Sequence, residues 1–223
     1  THKLKEIKAV TDEVSVMRRG EIVATWPTAD TSVEALAEAM VGRRVLLEVE
    51  KGPSVPGAVE LSVEHLRLTD KRGVVQVDDV SFQVRAGEIV GIAGVAGNGQ
   101  SELMEAISGI RRAASGTIRL GDTEITDLDP SAIRDLGLGH IPEDRHRMGL
   151  VLAFTAEENL MLGYQGDPRW ARGLLLDTGA LRATAEAEFA EFDVRPPEPT
   201  LRTALFSGGN QQKIIIAREI GRE

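Results

Sequence analysis

The sequence contains no cysteine, which excludes a disulfide framework and any thiolate-bound metal and is compatible with a reducing compartment. It has no apolar run approaching the roughly 20 residues that a helix needs to cross a bilayer. Thr1 opens it with neither an initiator methionine nor a signal peptide, so the expectation is a segment internal to a longer protein. Positive charge is also short: 26 Lys and Arg against 35 Asp and Glu give a net charge of −9. That balance argues against a broad basic surface for nucleic acid or anionic lipid, and leaves only a local basic pocket for phosphates. Internal repeats and low-complexity tracts are missing as well. What is present is ordinary: 223 residues, 42% hydrophobic and 27% charged, enough for one large domain or one and a half typical ones.

Residues 1 to about 47 read as helix, paired strands and helix. Leu4, Ile7 and Val10 recur at helical spacing, Val14–Val16 and Glu21–Ala24 flank Arg18-Arg-Gly20, and Thr31 or Ser32 caps a helix over Val33–Met40. The block 48–58, with two prolines, glycines and mixed charge, reads as a linker, and a new unit begins near Val59. Leu61, Val63 and Leu66, then Val75, Val77, Val80, Phe82 and Val84, suggest antiparallel strands with one wet face. Glu88-Ile-Val-Gly-Ile-Ala93 is continuously apolar after its first residue, as expected of a central parallel strand covered on both sides. A helix with Leu103, Ile107 and Ile110 follows, then strands at Thr117–Leu120 and Leu138–Ile141. Residues 155 to 195 read as mainly helical, ending at Arg195-Pro-Pro-Glu-Pro199, and a last helix follows Ser207.

Two glycine-rich runs carry the chemistry. Gly94-Val-Ala-Gly-Asn-Gly-Gln-Ser101 lies between the apolar run and a helix, the context that a phosphate-binding loop requires. Gly94, Gly97 and Gly99 let the backbone aim successive N–H groups inward, with Asn98 between them, and the following helix adds its positive end. Ser101 is placed to ligate Mg²⁺. The usual lysine is Gln100, and replacing a charge-assisted contact by a neutral one weakens phosphate binding by about 1–2 kcal/mol, roughly tenfold. In Phe206-Ser-Gly-Gly-Asn-Gln-Gln-Lys213, Ser207 caps a helix while Gly208 and Gly209 leave its first amides uncovered. Taken singly, a glycine-rich turn without ligand and a plainly capped helix remain the alternatives.

Taken together, in order and spacing, these runs resemble a known family. Phe206–Lys213 looks like the signature motif of ABC ATPases, in an asparagine form similar to bacterial sugar- and nucleoside-type importers with two fused nucleotide-binding cassettes. Gly91-Ile-Ala-Gly-Val-Ala-Gly-Asn-Gly-Gln-Ser-Glu102 and His140-Ile-Pro-Glu-Asp-Arg-His-Arg-Met-Gly-Leu150 resemble the second cassette of that group, closest to the nucleoside branch. Thr1-His-Lys-Leu-Lys-Glu6 and Val14-Ser-Val-Met-Arg-Arg-Gly20 are similar to the switch-histidine region closing the first.

The resemblance implies a RecA-like α/β P-loop core with an antiparallel β layer and an inserted helical subdomain, incomplete in this chain. It places the end of a first cassette in residues 1–47 and the front of a second in 59–223. It implies ATP and Mg²⁺ as cofactors, with phosphates held by Gly94, Gly97, Asn98, Gly99, Gln100, Ser101 and Glu102. The opposite nucleotide would meet Ser207, Gly208, Gly209, Asn210 and Gln211. Ser101 and Glu143 would hold the metal, and His2 and Glu143 would serve hydrolysis. Transmembrane permease subunits and a periplasmic or lipoprotein solute-binding protein are the implied partners, at the cytoplasmic membrane face, with no nucleic acid.

Glu143 departs from the glutamine most cassettes carry; its carboxylate can still ligate Mg²⁺ but adds negative charge beside phosphates. The aromatic that stacks on adenine is missing near Asp70-Lys-Arg-Gly73, where Arg72 either stacks instead or is a solvated turn charge. The remaining histidines, His65, His140 and His146, lack metal-ligand spacing. Asp144, Arg145 and Arg147 read as a partner-facing loop. The implied role is energising import of a nucleoside or sugar by ATP binding and hydrolysis; the alternative is a non-hydrolysing nucleotide-binding module for assembly or regulation.

Overall fold

The computed structural model describes residues 3–18, 20–42, 52–173 and 175–221. The chain divides into two compact units, residues 1–54 and 55–223.

In the first unit, helix α1 (Leu4–Val10) leads into the antiparallel pair β1 (Glu13–Arg18) and β2 (Glu21–Pro27), and helix α2 (Val33–Val41) follows. Of the two candidate caps, Ser32 is used: its Oγ accepts the Ala35 N–H at 3.1 Å. At the other end Gly42 takes the left-handed conformation that stops a helix. Val14, Val16 and Leu36 form the buried centre.

The second unit opens with the long hairpin β3 (Val59–Thr69) and β4 (Val75–Arg85). Its turn is fixed by Asp70, whose Oδ1 accepts the N–H groups of Arg72 and Val74 at 2.8 and 2.9 Å. Strict alternation breaks between Val63 and Leu66, and the reason is a bulge: His65 and Asp79 face each other across the strands, both at positive φ. Their side chains meet at 2.7 Å, and the His65 N–H donates to Ser81 Oγ at 2.8 Å. After helix α3 (Gln100–Ile107), β5 (Ser115–Leu120) and β6 (Thr123–Glu124) complete an antiparallel sheet of order β4-β3-β5-β6. Helix α4 (Pro130–Asp135) then packs with α3 on the sheet. Val63, Leu66, Leu68, Leu103, Ile118 and Ile133 are at the heart of that core.

A second core is helical. A π-helical turn at Arg145–Gly149 leads to helix α5 (Ala156–Met161) and a small hairpin of β7 (Ala171–Arg172) and β8 (Leu175–Leu176). Helices α6 (Thr178–Glu191) and α7 (Gly208–Ile220) complete it. Phe189, Val194, Phe206, Ile214 and Ile215 are buried together with α5 residues Ala156 and Leu160.

Three expectations from the sequence are corrected. Residues 88–93 form no strand; Ile89 is 82% exposed, because among the described residues no strand runs beside it. Residues 138–141 likewise form no strand, and His140 N–H donates instead to the Glu219 side chain at 3.1 Å. Residues 162–173 and 175–177 are turns and the β7–β8 hairpin rather than helix.

Candidate functional site

The phosphate-loop residues enter α3 through two glycines at positive φ, Gly97 and Gly99. Gly99 admits no side chain: a Cβ there would lie 2.5 Å from the Gln76 carbonyl oxygen. As at any helix start, the amides of Gln100, Ser101 and Glu102 have no partner in the preceding turn. Asn98 N–H closes the turn on Val95 O at 3.2 Å. Gln100 folds back across the loop: its Nε2 donates to Val95 O at 3.3 Å and occupies the space beside Gly94, where a Cβ would fall 1.7 Å away. A neutral amide thus bridges the loop at the position that a lysine usually holds. Glu102 is half-buried on the first turn of α3 and hydrogen-bonds neither Ser101 nor Glu143.

Ser101 reaches across 42 residues of sequence: its Oγ donates to Glu143 Oε2 at 2.9 Å. The two expected metal-binding side chains are therefore in direct contact. They sit in a cleft of about 330 Å³ that is also lined by Gln100, Glu105, His140 and Arg147. Burial holds the His140 imidazole below its ordinary pKa, against the opposing pull of Glu219, so it is neutral at neutral pH. A hydroxyl and a carboxylate oxygen side by side suit a hard divalent cation, and the adjoining helix start suits phosphate oxygens.

The second glycine-rich run is held differently. Ser207 is the N-cap of α7, its Oγ accepting Asn210 N–H at 3.4 Å and Asn210 Nδ2 at 2.9 Å. Asn210 Oδ1 accepts the Arg195 N–H at 2.7 Å. Gln211 is buried; its Nε2 donates to the carbonyls of Thr203 and Phe206, both at 3.1 Å, and its Oε1 faces His146 Nε2 at 2.8 Å. The Asn210 and Gln211 side chains, expected to meet cofactor, help to hold this turn: Gln211 uses both of its amide hydrogens on carbonyls, whereas Asn210 uses one of its two on Ser207. Gly208 and Gly209 remain exposed at the helix start. His2 lies outside the described residues.

No hydrogen bond among the described residues joins the loop 94–101 directly to the run 206–211; both are reached from residues 143–146. Sequence reasoning missed this role of His146, and also the pair Arg218–Glu219. Arg218 Nη1 donates to Gly149 O at 2.8 Å, while Glu219 Oε2 accepts from the Tyr164 hydroxyl at 2.7 Å and from His140 N–H. The signal was there: Gln211, Ile214, Ile215 and Arg218 lie on one helical stripe, so two polar residues occupy core positions.

A family profile described as ABC transporter matches residues 77–223, well over half of the chain. The chain belongs to the ABC transporter family. Over 222 residues it is 45% identical to the nucleoside import ATP-binding protein NupA of Lactococcus lactis, covering 100% of this chain and 44% of that protein. Over 214 residues it is 48% identical to the guanosine import ATP-binding protein NupO of Bacillus subtilis, covering 96% and 42%. The chain thus spans less than half the length of the curated relatives it matches. Among solved structures, a dimeric ATP-binding cassette in a post-hydrolysis state with ADP and phosphate superimposes with a TM-score of 0.58 at 21% identity, covering 72% of this chain and 68% of that one. The ABC cassette fold, a RecA-like P-loop core with an antiparallel β layer and a helical subdomain, is therefore the fold of this chain.

Proposed function

We propose that this chain is part of an ATP-binding subunit that energises import of a nucleoside or sugar through a membrane permease. Residues 1–47 are read as the end of a first cassette, 48–58 as a linker and 59–223 as the front of a second. In this reading the loop around Gly97 and Gly99 holds nucleotide phosphates, and Ser101 with Glu143 holds Mg²⁺, which neutralises phosphate charge and orients the nucleotide. Ser207, Gly208 and Gly209 face a nucleotide carried by the other cassette, the one whose switch residue is His2. The protein then works at the cytoplasmic membrane face, beside permease subunits and a solute-binding protein.

The observation that carries the reading is the 2.9 Å contact of Ser101 with Glu143. It brings the end of the phosphate loop and a carboxylate from a distant segment into one cleft, a donor set fitting a hard cation. The test is equilibrium binding of ATP with and without Mg²⁺. Mg²⁺ should tighten binding to the wild-type chain and have no effect on Ser101→Ala. Equal affinities in all four conditions would sink the proposal.

A second reading rests on the neutral bridge made by Gln100: a site that binds nucleotide to assemble the complex without hydrolysing it. In the full-length protein, turnover that persists with the first site disabled excludes it. Gln100→Lys should tighten nucleotide binding by about tenfold.

A further inference from the structure

Taking two charges out of water is costly, and replacing a buried ion pair by apolar side chains of similar volume is commonly neutral for stability. Arg218 and Glu219, neighbours on the last turn of α7, form such a pair: Nε lies 2.8 Å from Oε1, and the two side chains are 6% and 5% exposed. Stability alone does not account for it. The remaining hydrogen bonds of the two groups show what the pair holds.

The segment 140–149, which carries Glu143, is gripped at both ends. At its beginning the His140 N–H donates to Glu219 Oε2 at 3.1 Å, and Gly139 lies so close that a Cβ there would be 3.1 Å from the Glu219 carbonyl oxygen. At its end Gly149 O accepts from Arg218 Nη1 at 2.8 Å. The base of the loop is closed as well: a Cβ on Gly149 would fall 2.7 Å from Ile215 Cδ1 and 3.1 Å from Pro142 Cγ, the residue just before Glu143. Midway, His146 meets Gln211 of the same helix at 2.8 Å. An N–H at one end needs an acceptor and a carbonyl at the other needs a donor; a carboxylate beside a guanidinium supplies one of each. Among the described residues a single hydrogen bond, Ser101 to Glu143, joins this segment to α3.

We propose that Arg218 and Glu219 are positioning residues for the metal site: by fixing both ends of 140–149 to α7, they set where the Glu143 carboxylate stands relative to Ser101. They act through the backbone of the segment. This deepens the function proposed above and rests on it.

The test uses Mn²⁺ as the probe ion in place of Mg²⁺, because its unpaired electrons broaden the resonances of nearby amides. In the isotopically labelled wild-type chain the Ser101 and Glu143 amides should broaden together on titration. Arg218→Met combined with Glu219→Met removes both grips at similar volume, and should weaken Mn²⁺ affinity about tenfold, the scale of a lost outer-shell partner. Glu219→Gln keeps an oxygen for His140 and Tyr164 but takes the carboxylate from Arg218. It should unfold at lower urea yet hold Mn²⁺ within about twofold of wild type. That divergence of stability and affinity separates positioning from a merely structural role. Wild-type Mn²⁺ affinity in the double variant would overturn the proposal, as would a loss in Glu219→Gln equal to that of the double variant. Hydrogen exchange needs no variant: the His140 amide should exchange as slowly as the buried amides of α7, and exchange at the rate of an exposed loop would also overturn the proposal. Absence of broadening at both Ser101 and Glu143 in the wild type is the one outcome that removes the metal-site reading itself, and the proposal with it.

Discussion

Residues 88–101 and residues 203–220 each lead through glycines into a helix start suited to phosphate, yet they are supported in opposite ways. The first segment runs exposed, with Ile89 82% and Val95 75% accessible and no strand beside it among the described residues. In the second, Ile214 and Ile215 are fully buried, and Gln211, Asn210 and Arg218 tie the helix to the turn 145–149, to Arg195 and to Phe206. The difference teaches that a motif's capacity to grip an anion and the stability of its surroundings are set separately. The grip comes from a few amides at a helix end, whereas the stability comes from the area and polar satisfaction behind it.

Mutation can break or sharpen that contrast. The largest effect belongs to the helical core: Phe189, 2% exposed and edge-on to Phe206 at 6.0 Å, should cost about 3–5 kcal/mol as Phe189→Ala. Ile89→Thr on the exposed run should stay within about 0.5 kcal/mol. Urea unfolding of both measures the gap, and comparable losses would erase the distinction. Next comes Asn159, which is buried and bonded to both backbone groups of Val151, to Thr155 O and to Thr203 Oγ1. Asn159→Ala orphans several of these groups and should cost about 2–3 kcal/mol by the same measurement.

A gain is expected at Glu188, whose Oε2 is buried without a partner among the described residues. Burial first, and then Glu191, push its carboxyl above the ordinary 4.5, with Arg169 opposing. The folded state therefore holds this proton more tightly than the unfolded one, so stability falls as pH rises through the window above 4.5. Glu188→Gln should melt higher than the wild type at neutral pH, with the gap closing in acid; a gap that widens in acid would reverse the assignment. The smallest effect on stability is at Ser101, where Ser101→Ala should unfold within about 0.5 kcal/mol of wild type. A loss of several kcal/mol in urea would make the Ser101–Glu143 contact a structural tie, and the exposed loop would no longer be the lightly built half.

Local rules were readable where local chemistry decides. Ser32 and Ser207 cap their helices, and the β3–β4 hairpin follows its alternation apart from the bulge that the Val63–Leu66 spacing already marks. The run 88–93 misled because continuous apolar composition describes what a strand is covered by, and a strand forms only where neighbours supply hydrogen bonds. At the site, the meeting of Ser101 with Glu143 was legible only through resemblance, as no local pattern links positions 42 apart. The inward turn of Gln211 was legible in principle from its place on the Ile214–Ile215 stripe. A polar run read as a ligand motif hid it.

The uncovered run at residues 88–95 also bears on how the chain behaves in concentrated solution. A backbone run outside any strand, with isoleucine and valine on display, can serve as a template for pairing with another copy of itself. The net charge of −9 opposes that association by mutual repulsion, which salt screens. Solubility of this chain is therefore a contest between a sticky edge and a shared sign of charge, and it should fall with rising ionic strength even where the fold itself is unaffected.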